Sequence, residues 1–324
     1  MFKRFSVLGV MVIALSLILA ACGGANDNTA NNDANNNNMN DNGNNSAEGI
    51  ELGGKDIEIP YVAWAGSTTR SPILGKVLEE VGYNVDVKQV EAGPMWAATA
   101  DDEDTLNATG WLPATHGDYQ EQYEDDVEIY EESNLIDKAP LALTVPEYME
   151  DVNSIEDLKG NEELGEAVDW EIIGIDPGAG IMQNTEEALE EYELDEWSVT
   201  ASSEAAMLAE LQGKIENEEE IVVPLWKPHW IFAAEDLKML DEPNDIYGGE
   251  GDQIQLIFNS EFKEAHPAAY EIATRFAEDW NEEIENEYME PIFVDDEDEN
   301  EVAEQFMEEN QDLVEKWTEG IAAE

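Results

Sequence analysis

The feature that most restricts the fold of this 324-residue chain is a series of short apolar segments that alternate with amphipathic ones. The apolar segments predict strands at residues 57–62, 85–90, 106–111, 171–176, 198–201 and 221–225. The amphipathic segments between them predict helices at residues 72–81, from residue 95 onward, 181–192 and 204–215. Strands separated by helices of this length form βαβ units with a parallel sheet. Two such series predict an α/β fold with two lobes and a ligand cleft between them.

The order of these series divides the chain into five predicted regions. They are a signal peptide at 1–21, a lipidated cysteine with a tether at 22–54, a first lobe at 55–145, a second lobe at 146–253, and a return crossover with C-terminal helices at 254–324. In this interpretation extended segments near Thr144 and Ile254 connect the lobes, so hinge motion is expected there.

The N-terminus has the features of a bacterial export signal. Lys3 and Arg4 precede an apolar run at 7–21 that is short for a permanent membrane span. The run ends in Leu19-Ala20-Ala21-Cys22-Gly23, which resembles the lipobox of bacterial lipoproteins, and Cys22 is the only cysteine. The alternative is an ordinary signal peptide followed by an incidental cysteine. The lipobox interpretation predicts lipidation of Cys22 and a protein anchored at the outer face of the cell membrane.

The segment after Cys22 has a strongly biased composition. Residues 24–48 consist almost entirely of Asn, Asp, Ala and Gly, with no apolar periodicity. Such a composition cannot bury a core, and it predicts a disordered tether between anchor and folded body.

Acidic residues dominate the chain, with 78 Asp and Glu against 14 Lys and Arg and a formal net charge of −64. A nucleic-acid partner is therefore excluded, because phosphate binding requires clustered Lys and Arg. No acidic segment has the Gly-containing loop of alternating oxygen ligands that calcium uses, and we predict no metal and no cofactor. Molar salt shortens the Debye length to about 3 Å and screens the self-repulsion. We infer a halophilic source, or failing that an alkaliphilic one.

Four of the nine tryptophans fall where predicted strands end, namely Trp64, Trp111, Trp226 and Trp230. Ligands of open α/β sheets bind beyond the carboxyl ends of the strands. One Trp at such a place is more often part of the core, but several together favour a site whose indole faces surround a quaternary ammonium group. Four other tryptophans are interpreted as core residues, namely Trp170, Trp197, Trp280 and Trp317.

A carboxylate on the same ligand would need hydrogen-bond donors. The turn at Asp176–Met182 lies between a predicted strand and a predicted helix, where glycines expose N–H groups and the helix N-terminus favours an anion. His116, five residues after Trp111, adds a side-chain donor. Each feature alone is weak, because a Gly-containing turn is more often only a turn and a single His more often lies on the surface.

Five blocks of sequence carry a resemblance to a known family. They are Tyr61-Val62-Ala63-Trp64, Glu91-Ala92-Gly93-Pro94-Met95-Trp96, Trp111-Leu112-Pro113-Ala114-Thr115-His116, Gly174-Ile175-Asp176-Pro177-Gly178-Ala179-Gly180-Ile181-Met182 and Trp226-Lys227-Pro228-His229-Trp230. In this order, from about residue 57 to about residue 275, they resemble the glycine betaine-binding proteins of osmoprotectant ABC transporters. The combination is specific, although no single block is.

The resemblance implies a two-lobed periplasmic-binding-protein fold of the type II-like class that closes on glycine betaine or proline betaine. The implied site residues are Trp64, Trp111 and Trp226 for the ammonium group, and His116 with the backbone N–H groups of Gly180 and Ile181 for the carboxylate. The implied partner is the permease of an ABC importer, and we expect a monomer without enzymatic activity.

One departure from the family pattern concerns the segment after Trp64. Residues 65–70 replace a more acidic loop, and Arg70 becomes a candidate contact for the ligand carboxylate. The roles of Trp96 and Trp230 are left open.

Three other functions compete with this interpretation. A binding protein for choline or carnitine belongs to the same class, but choline has no carboxylate to use the predicted donors. An enzyme acting on a quaternary amine would need chemistry that the three His residues (His116, His229 and His266) and a single Cys do not suggest. An extracellular interaction module, in which the tryptophans are only core residues, is the third.

Overall fold

The computed structural model describes residues 49–322, so the predicted signal peptide, Cys22 and most of the predicted tether lie outside the described residues. Within residues 49–322, no helix combines the length and the apolar character that a membrane span requires. The predicted tether ends too late at residue 54, because Ile50 forms a β-bridge with Ile321 and Leu52 is buried. These residues belong to the folded body.

Eleven strands occur in the described part of the chain. They are β1 (Asp56–Tyr61), β2 (Asn84–Gln89), β3 (Leu106–Leu112), β4 (Val127–Ile129), β5 (Ile136–Ala139), β6 (Leu141–Pro146), β7 (Glu171–Ile173), β8 (Ser198–Thr200), β9 (Val223–Trp226), β10 (Leu237–Met239) and β11 (Asp252–Asn259).

Twelve α-helices lie among residues 49–322. They are α1 (Ala65–Glu80), α2 (Ala92–Asp101), α3 (Gly117–Gln122), α4 (Glu162–Ala167), α5 (Gly180–Glu191), α6 (Glu204–Glu216), α7 (Ile231–Ala234), α8 (Phe262–Ala265), α9 (Pro267–Asp279), α10 (Glu282–Phe293), α11 (Glu299–Glu309) and α12 (Gln311–Thr318). Side-chain caps begin several of them, as at α6, where the Ser203 hydroxyl accepts from the Ala206 N–H.

The strands form two groups that alternate with the helices as predicted. In the first, β1 and β2 are parallel, Glu58 bridges to Thr105 just before β3, and β11 pairs antiparallel with β3, β4 and β5. In the second, β6 lies between β9 and β10 in antiparallel pairing, and the parallel pair β7–β8 adjoins β9 through an Ile173 N–H to Val222 carbonyl hydrogen bond.

The sheets are therefore mixed, whereas the alternation of strands and helices predicted a parallel sheet. The returning strand β11 causes the difference in the first group, because the chain comes back from β10 of the second group and β11 pairs antiparallel with β3. In the second group β6 has the same effect on β9. A parallel pair requires a crossover connection, whereas these strands arrive directly from the other group.

Two crossings of the chain between the groups lie side by side. A Cβ on Gly251, whose φ is +112°, would lie 2.6 Å from the Pro140 nitrogen, so the two backbones touch. The predicted hinge positions, Thr144 and Ile254, lie a few residues away inside β6 and β11. The boundary between the two lobes at residue 145 stays a prediction. Because β6 pairs with β9 of the second group, the structure favours an earlier boundary, before Leu141.

Candidate functional site

Three tryptophans that end or follow strands of both groups meet in space. Trp64 follows β1, Trp111 lies near the end of β3, and Trp226 ends β9. The ring centroid of Trp226 lies 6.4 Å from that of Trp64 and 6.2 Å from that of Trp111, with planes inclined at 60° and 78°. All three side chains are buried. Because the rings are inclined rather than stacked, they form three walls around one space, which we call the Trp cage.

The space beside these rings is a small apolar cavity of about 20 Å³. Its lining consists of Trp64, Trp111, Thr115, Leu141, Ile175, Ala179, Gly180, Ile181 and Trp226. Sites for drug-sized ligands are generally about 300–1,000 Å³, so the space enclosed here is far smaller than such a site. No Lys or Arg lies in the lining, which leaves the ring faces free to attract a cation.

The carboxylate of Asp176 accepts a hydrogen bond from Trp64, the first ring of the Trp cage. The indole Nε1–H of Trp64 donates to Oδ1 of Asp176 at 2.9 Å, and Asp176 is 9 % exposed. This negative charge fixes the ring orientation and adds to the attraction of the site for a positive ligand. Asp176 received no role from its sequence context, although its place at the end of a predicted strand was a signal.

The start of α5 forms the opposite side of the cavity. Its N-cap residue, Ala179, has no side chain that can cap the helix, and the first N–H groups of a helix have no acceptor within it. The predicted residues Gly180 and Ile181 both line the cavity at this positive helix end. A Cβ on Gly180 would lie 1.8 Å from the carbonyl oxygen of Thr115, so only glycine permits this approach.

His116 lies directly behind the cavity wall and is fully buried, its ring centroid 5.9 Å from that of Trp64. Its Nδ1 accepts from the backbone N–H of Trp111 at 3.1 Å, which places the ring proton on Nε2. That Nε2 has no hydrogen-bond partner among residues 49–322. Burial lowers the pKa of His116 from 6.5 to about 3, so the ring is neutral at ordinary pH. His116 is thus a neutral donor whose Nε2–H forms no hydrogen bond of good geometry within residues 49–322.

Arg70 is not at the site, and the expectation that residues 65–70 form a loop is wrong. These residues are the first turns of α1, which begins directly after Trp64. Arg70 is fully buried outside the cavity lining, where it donates to Glu285 Oε2 at 2.7 Å and to the Ala108 carbonyl at 2.6 Å. The Glu285 carboxylate already neutralises the guanidinium, which leaves Arg70 to join α1 to α10.

The remaining tryptophans lie outside the cavity lining. Trp96 is fully buried against His116 and stacks on Tyr119 with ring centroids 5.9 Å apart, so it supports the histidine from behind. Trp230 stacks on Phe293 in an open groove beside α10. Trp197, Trp280 and Trp317 are buried as predicted, whereas Trp170 is only half-buried.

The described residues contain no group of three or more His, Cys, Asp or Glu side chains placed to hold a metal ion.

A family model described as the substrate binding domain of ABC-type glycine betaine transport systems matches residues 55–309. The chain belongs to this family. The family is one of transporter binding domains, and the prediction of the family is confirmed.

Similarity to individual proteins agrees with this assignment. The glycine betaine/carnitine transport binding protein GbuC of Listeria monocytogenes is 40% identical over 162 residues, which are 49% of this chain and 53% of the relative. The match thus spans about half the length of that protein.

Two solved structures have the same fold. One is the glycine betaine/L-proline-binding protein ProX from Borrelia burgdorferi, with a TM-score of 0.76 and 31% identity, over 81% of this chain and 96% of that one. The other is lactococcal OpuAC in its closed form with glycine betaine, with a TM-score of 0.74 and 28% identity, over 82% of this chain and 100% of that one. The predicted two-lobed periplasmic-binding-protein fold is therefore confirmed.

Proposed function

We propose that this protein captures glycine betaine, or a close relative such as proline betaine, and delivers it to the permease of an ABC importer. The observation that carries the proposal is the Trp cage facing a helix N-terminus across one small cavity. In this assignment Trp64, Trp111 and Trp226 surround the trimethylammonium group. The carboxylate is bound at the other end by the N–H groups of Gly180 and Ile181.

The two ends of such a ligand suit the two ends of the cavity. Quaternary ammonium spreads its charge over methyl groups, so little hydration is lost when indole faces replace water, and each ring contributes about 0.5–2 kcal/mol. Three rings thus supply several of the roughly 8 kcal/mol that micromolar affinity requires. A zwitterion also needs donors for its carboxylate, which the start of α5 and His116 provide.

His116 supplies the test that separates betaines from choline. We expect His116→Ala to weaken glycine betaine binding by about 10- to 100-fold, because a hydrogen bond to a charged group contributes about 1.5–3 kcal/mol. Choline has no carboxylate, so any weakening of choline binding reports only damage to the neighbouring wall. Calorimetry on wild type and variant with glycine betaine, proline betaine, carnitine and choline gives the ratio of the two effects.

Equal losses for betaine and choline would contradict the role of His116. Failure of the wild-type protein to bind any ligand of the panel would contradict the proposed function itself. Tight choline binding with weak betaine binding would instead support the second candidate, a choline-binding protein of the same transporter class. The cavity favours a betaine over choline as the ligand. The start of α5 offers donors for a carboxylate, whereas Thr115 is the only side chain of the lining that can accept from a hydroxyl.

An enzyme acting on a quaternary amine fits the cavity poorly. The wall residues are apolar apart from Thr115, and no nucleophile–base pair faces the space. We propose binding without turnover, and we expect a monomer that uses no cofactor.

We place the protein at the outer face of the cell membrane, held by a lipid on Cys22 after removal of residues 1–21. The sequence before and after Cys22 supports this proposal. We expect Cys22→Ser to move the protein from the membrane fraction into the medium and to abolish labelling by radioactive palmitate. Asn28→Ser is the matched control and should stay with the membrane. Membrane retention of Cys22→Ser would contradict the anchor.

We propose that the acidic body is adapted to saline surroundings, or failing that to alkaline ones. The net charge of −64 makes self-repulsion large in dilute buffer and small at molar salt. We expect the thermal midpoint to rise by about 5 °C or more between 0.1 M and 2 M NaCl, equivalent to roughly 1–2 kcal/mol for a body of this size. Chloride is used because sulfate stabilises most proteins by strengthening burial. An unchanged midpoint would contradict the halophilic origin.

A further inference from the structure

A second carboxylate, that of Glu204, contacts the segment Trp64–Ala65, which carries the first ring of the Trp cage and which we call the Trp64 corner. Helix α1 begins at Ala65, directly after Trp64, and no side chain of its own segment caps it. The Ala65 N–H donates to Oε2 of Glu204 at 3.2 Å, across 139 residues of sequence. Glu204 begins α6 in the other strand group, so this bond joins elements that follow β1 and β8. Together with the Trp64–Asp176 bond, it holds both residues of the corner.

The other carboxylate oxygen of Glu204 lies beside His229, which packs against the third ring of the Trp cage. Oε1 lies 3.3 Å from Nε2 of His229, a charge contact whose geometry does not make a hydrogen bond. Nδ1 of the same ring accepts from the Ile231 N–H, so the ring proton is on Nε2. The His229 ring packs against Trp226, with centroids 5.2 Å apart and planes inclined at 63°. Glu204 therefore contacts, on its two sides, the segments that position Trp64 and Trp226.

The burial of Glu204 is unusual for an acidic residue of this chain. Among residues 49–322 only four carboxylate side chains are buried, namely Asp176, Glu204, Asp252 and Glu285. Asp252 accepts from two backbone N–H groups and Glu285 pairs with Arg70. Glu204 is only 4 % exposed, and its hydrogen bond comes from the opposite strand group. A buried carboxylate is costly unless it is paired, so Glu204 would regain water if the two groups separated.

We propose that Glu204 is a positioning residue for ligand-induced closure. In the closed form its carboxylate caps the N-terminus of α1, where the helix dipole favours a negative charge. This contact holds the segment of Trp64 and Ala65 close to the segment of Trp226. It therefore slows dissociation of the bound osmolyte. The inference rests on the proposed function, because it assigns to Glu204 a part in closing that same cage.

The test compares Glu204→Ala and Glu204→Gln with Glu210→Ala, a matched control at an exposed position of the same helix. We expect Glu204→Ala to raise the dissociation constant for glycine betaine about tenfold, mainly through the dissociation rate measured by stopped-flow tryptophan fluorescence. Glu204→Gln keeps an oxygen that accepts from Ala65, so it should bind at least threefold more tightly than the alanine variant. Glu210→Ala should match the wild type.

Thermal unfolding separates positioning from plain stability. The midpoint without ligand should be the same for wild type and Glu204→Ala, because an open form leaves Glu204 in water. The increase in midpoint at saturating betaine should be smaller in the variant. Binding within twofold of wild type, equal loss of midpoint with and without betaine, or no recovery in Glu204→Gln would each overturn the inference. Absence of binding by the wild type would instead overturn the proposed function.

Discussion

Replacing Trp226 by leucine is expected to weaken glycine betaine binding by about 30- to 1,000-fold, the largest loss expected for any single ring of the Trp cage. Trp226 is the ring that faces both others, at 6.4 Å from Trp64 and 6.2 Å from Trp111. Loss of a central aromatic anchor in a buried site typically costs about 2–4 kcal/mol. Leucine keeps part of the apolar volume but has no quadrupole, so the substitution tests the attraction for the cation.

A ligand of the same shape without the positive charge makes this test sharper. In 3,3-dimethylbutanoate a carbon replaces the nitrogen of glycine betaine, so the molecule keeps its shape and carboxylate and loses only the positive charge. The wild type should strongly prefer glycine betaine, and Trp226→Leu should lose most of that preference in calorimetry. Trp226→Phe, which retains a smaller ring, should lie between them.

The matched control is Trp170→Ala, at a half-buried tryptophan distant in sequence from the cage and absent from the cavity lining. It should leave both affinities unchanged. Circular dichroism must confirm that Trp226→Leu is folded, because Trp226 is only 3 % exposed. If the variant loses affinity equally for glycine betaine and 3,3-dimethylbutanoate, the cage acts by apolar packing and the cation–π assignment is wrong.

Replacing Gly180 by alanine is expected to weaken betaine binding more than 100-fold while leaving the unliganded protein folded. The new Cβ would lie 1.8 Å from the Thr115 carbonyl oxygen and 2.7 Å from its carbon, so one backbone has to move. Thr115 follows β3 and Gly180 begins α5, so the clash arises only where the two strand groups meet. The N–H donors at the start of α5 would then be held away from the ligand carboxylate, and a displacement of about 1 Å is sufficient to lose such an interaction.

Gly213→Ala is a matched control for this substitution. Gly213 lies within α6, and a Cβ there would have no atom within 4 Å. Alanine should therefore keep full affinity and raise the free energy of unfolding by about 0.5–1 kcal/mol, because glycine loses more backbone entropy in a helix. Small-angle scattering adds an independent measurement, since betaine should compact the wild type and Gly213→Ala but not Gly180→Ala. Wild-type affinity in Gly180→Ala would contradict the Thr115–Gly180 approach in the bound form.

The repeated alternation of strands and helices could be predicted from the sequence, because it depends on residues that are close together in the chain. Apolar side chains with a period of two or 3.6 residues fix each element before any distant contact is made. The helix at 204–215 and the strand at 106–111 were predicted to within one residue of their observed ends. The segment after Trp64 was misread as a loop, since α1 starts with small and polar residues and Pro72 lies within it.

The tryptophans of the site were also readable, because strands of both groups direct their ends toward one cleft. The residues that support these tryptophans could not be predicted from the sequence. The partners of Trp64, Ala65 and Arg70 lie 112, 139 and 215 residues away in sequence, so no spacing rule reaches them. Asp176, Glu204 and Glu285 are three of 78 acidic residues, and they belong to the four carboxylates that are buried among residues 49–322.

The sequence by itself thus determined the element types, the family and the three rings that face the cleft. These properties follow from local periodicity and from short motifs whose residues are neighbours in the chain. The tertiary structure alone decided the antiparallel returns of β6 and β11, the burial of Arg70, and which carboxylates hold the cage. Each of these depends on two distant segments approaching within hydrogen-bond distance, where removal from water makes a single charge or a single Cβ energetically decisive.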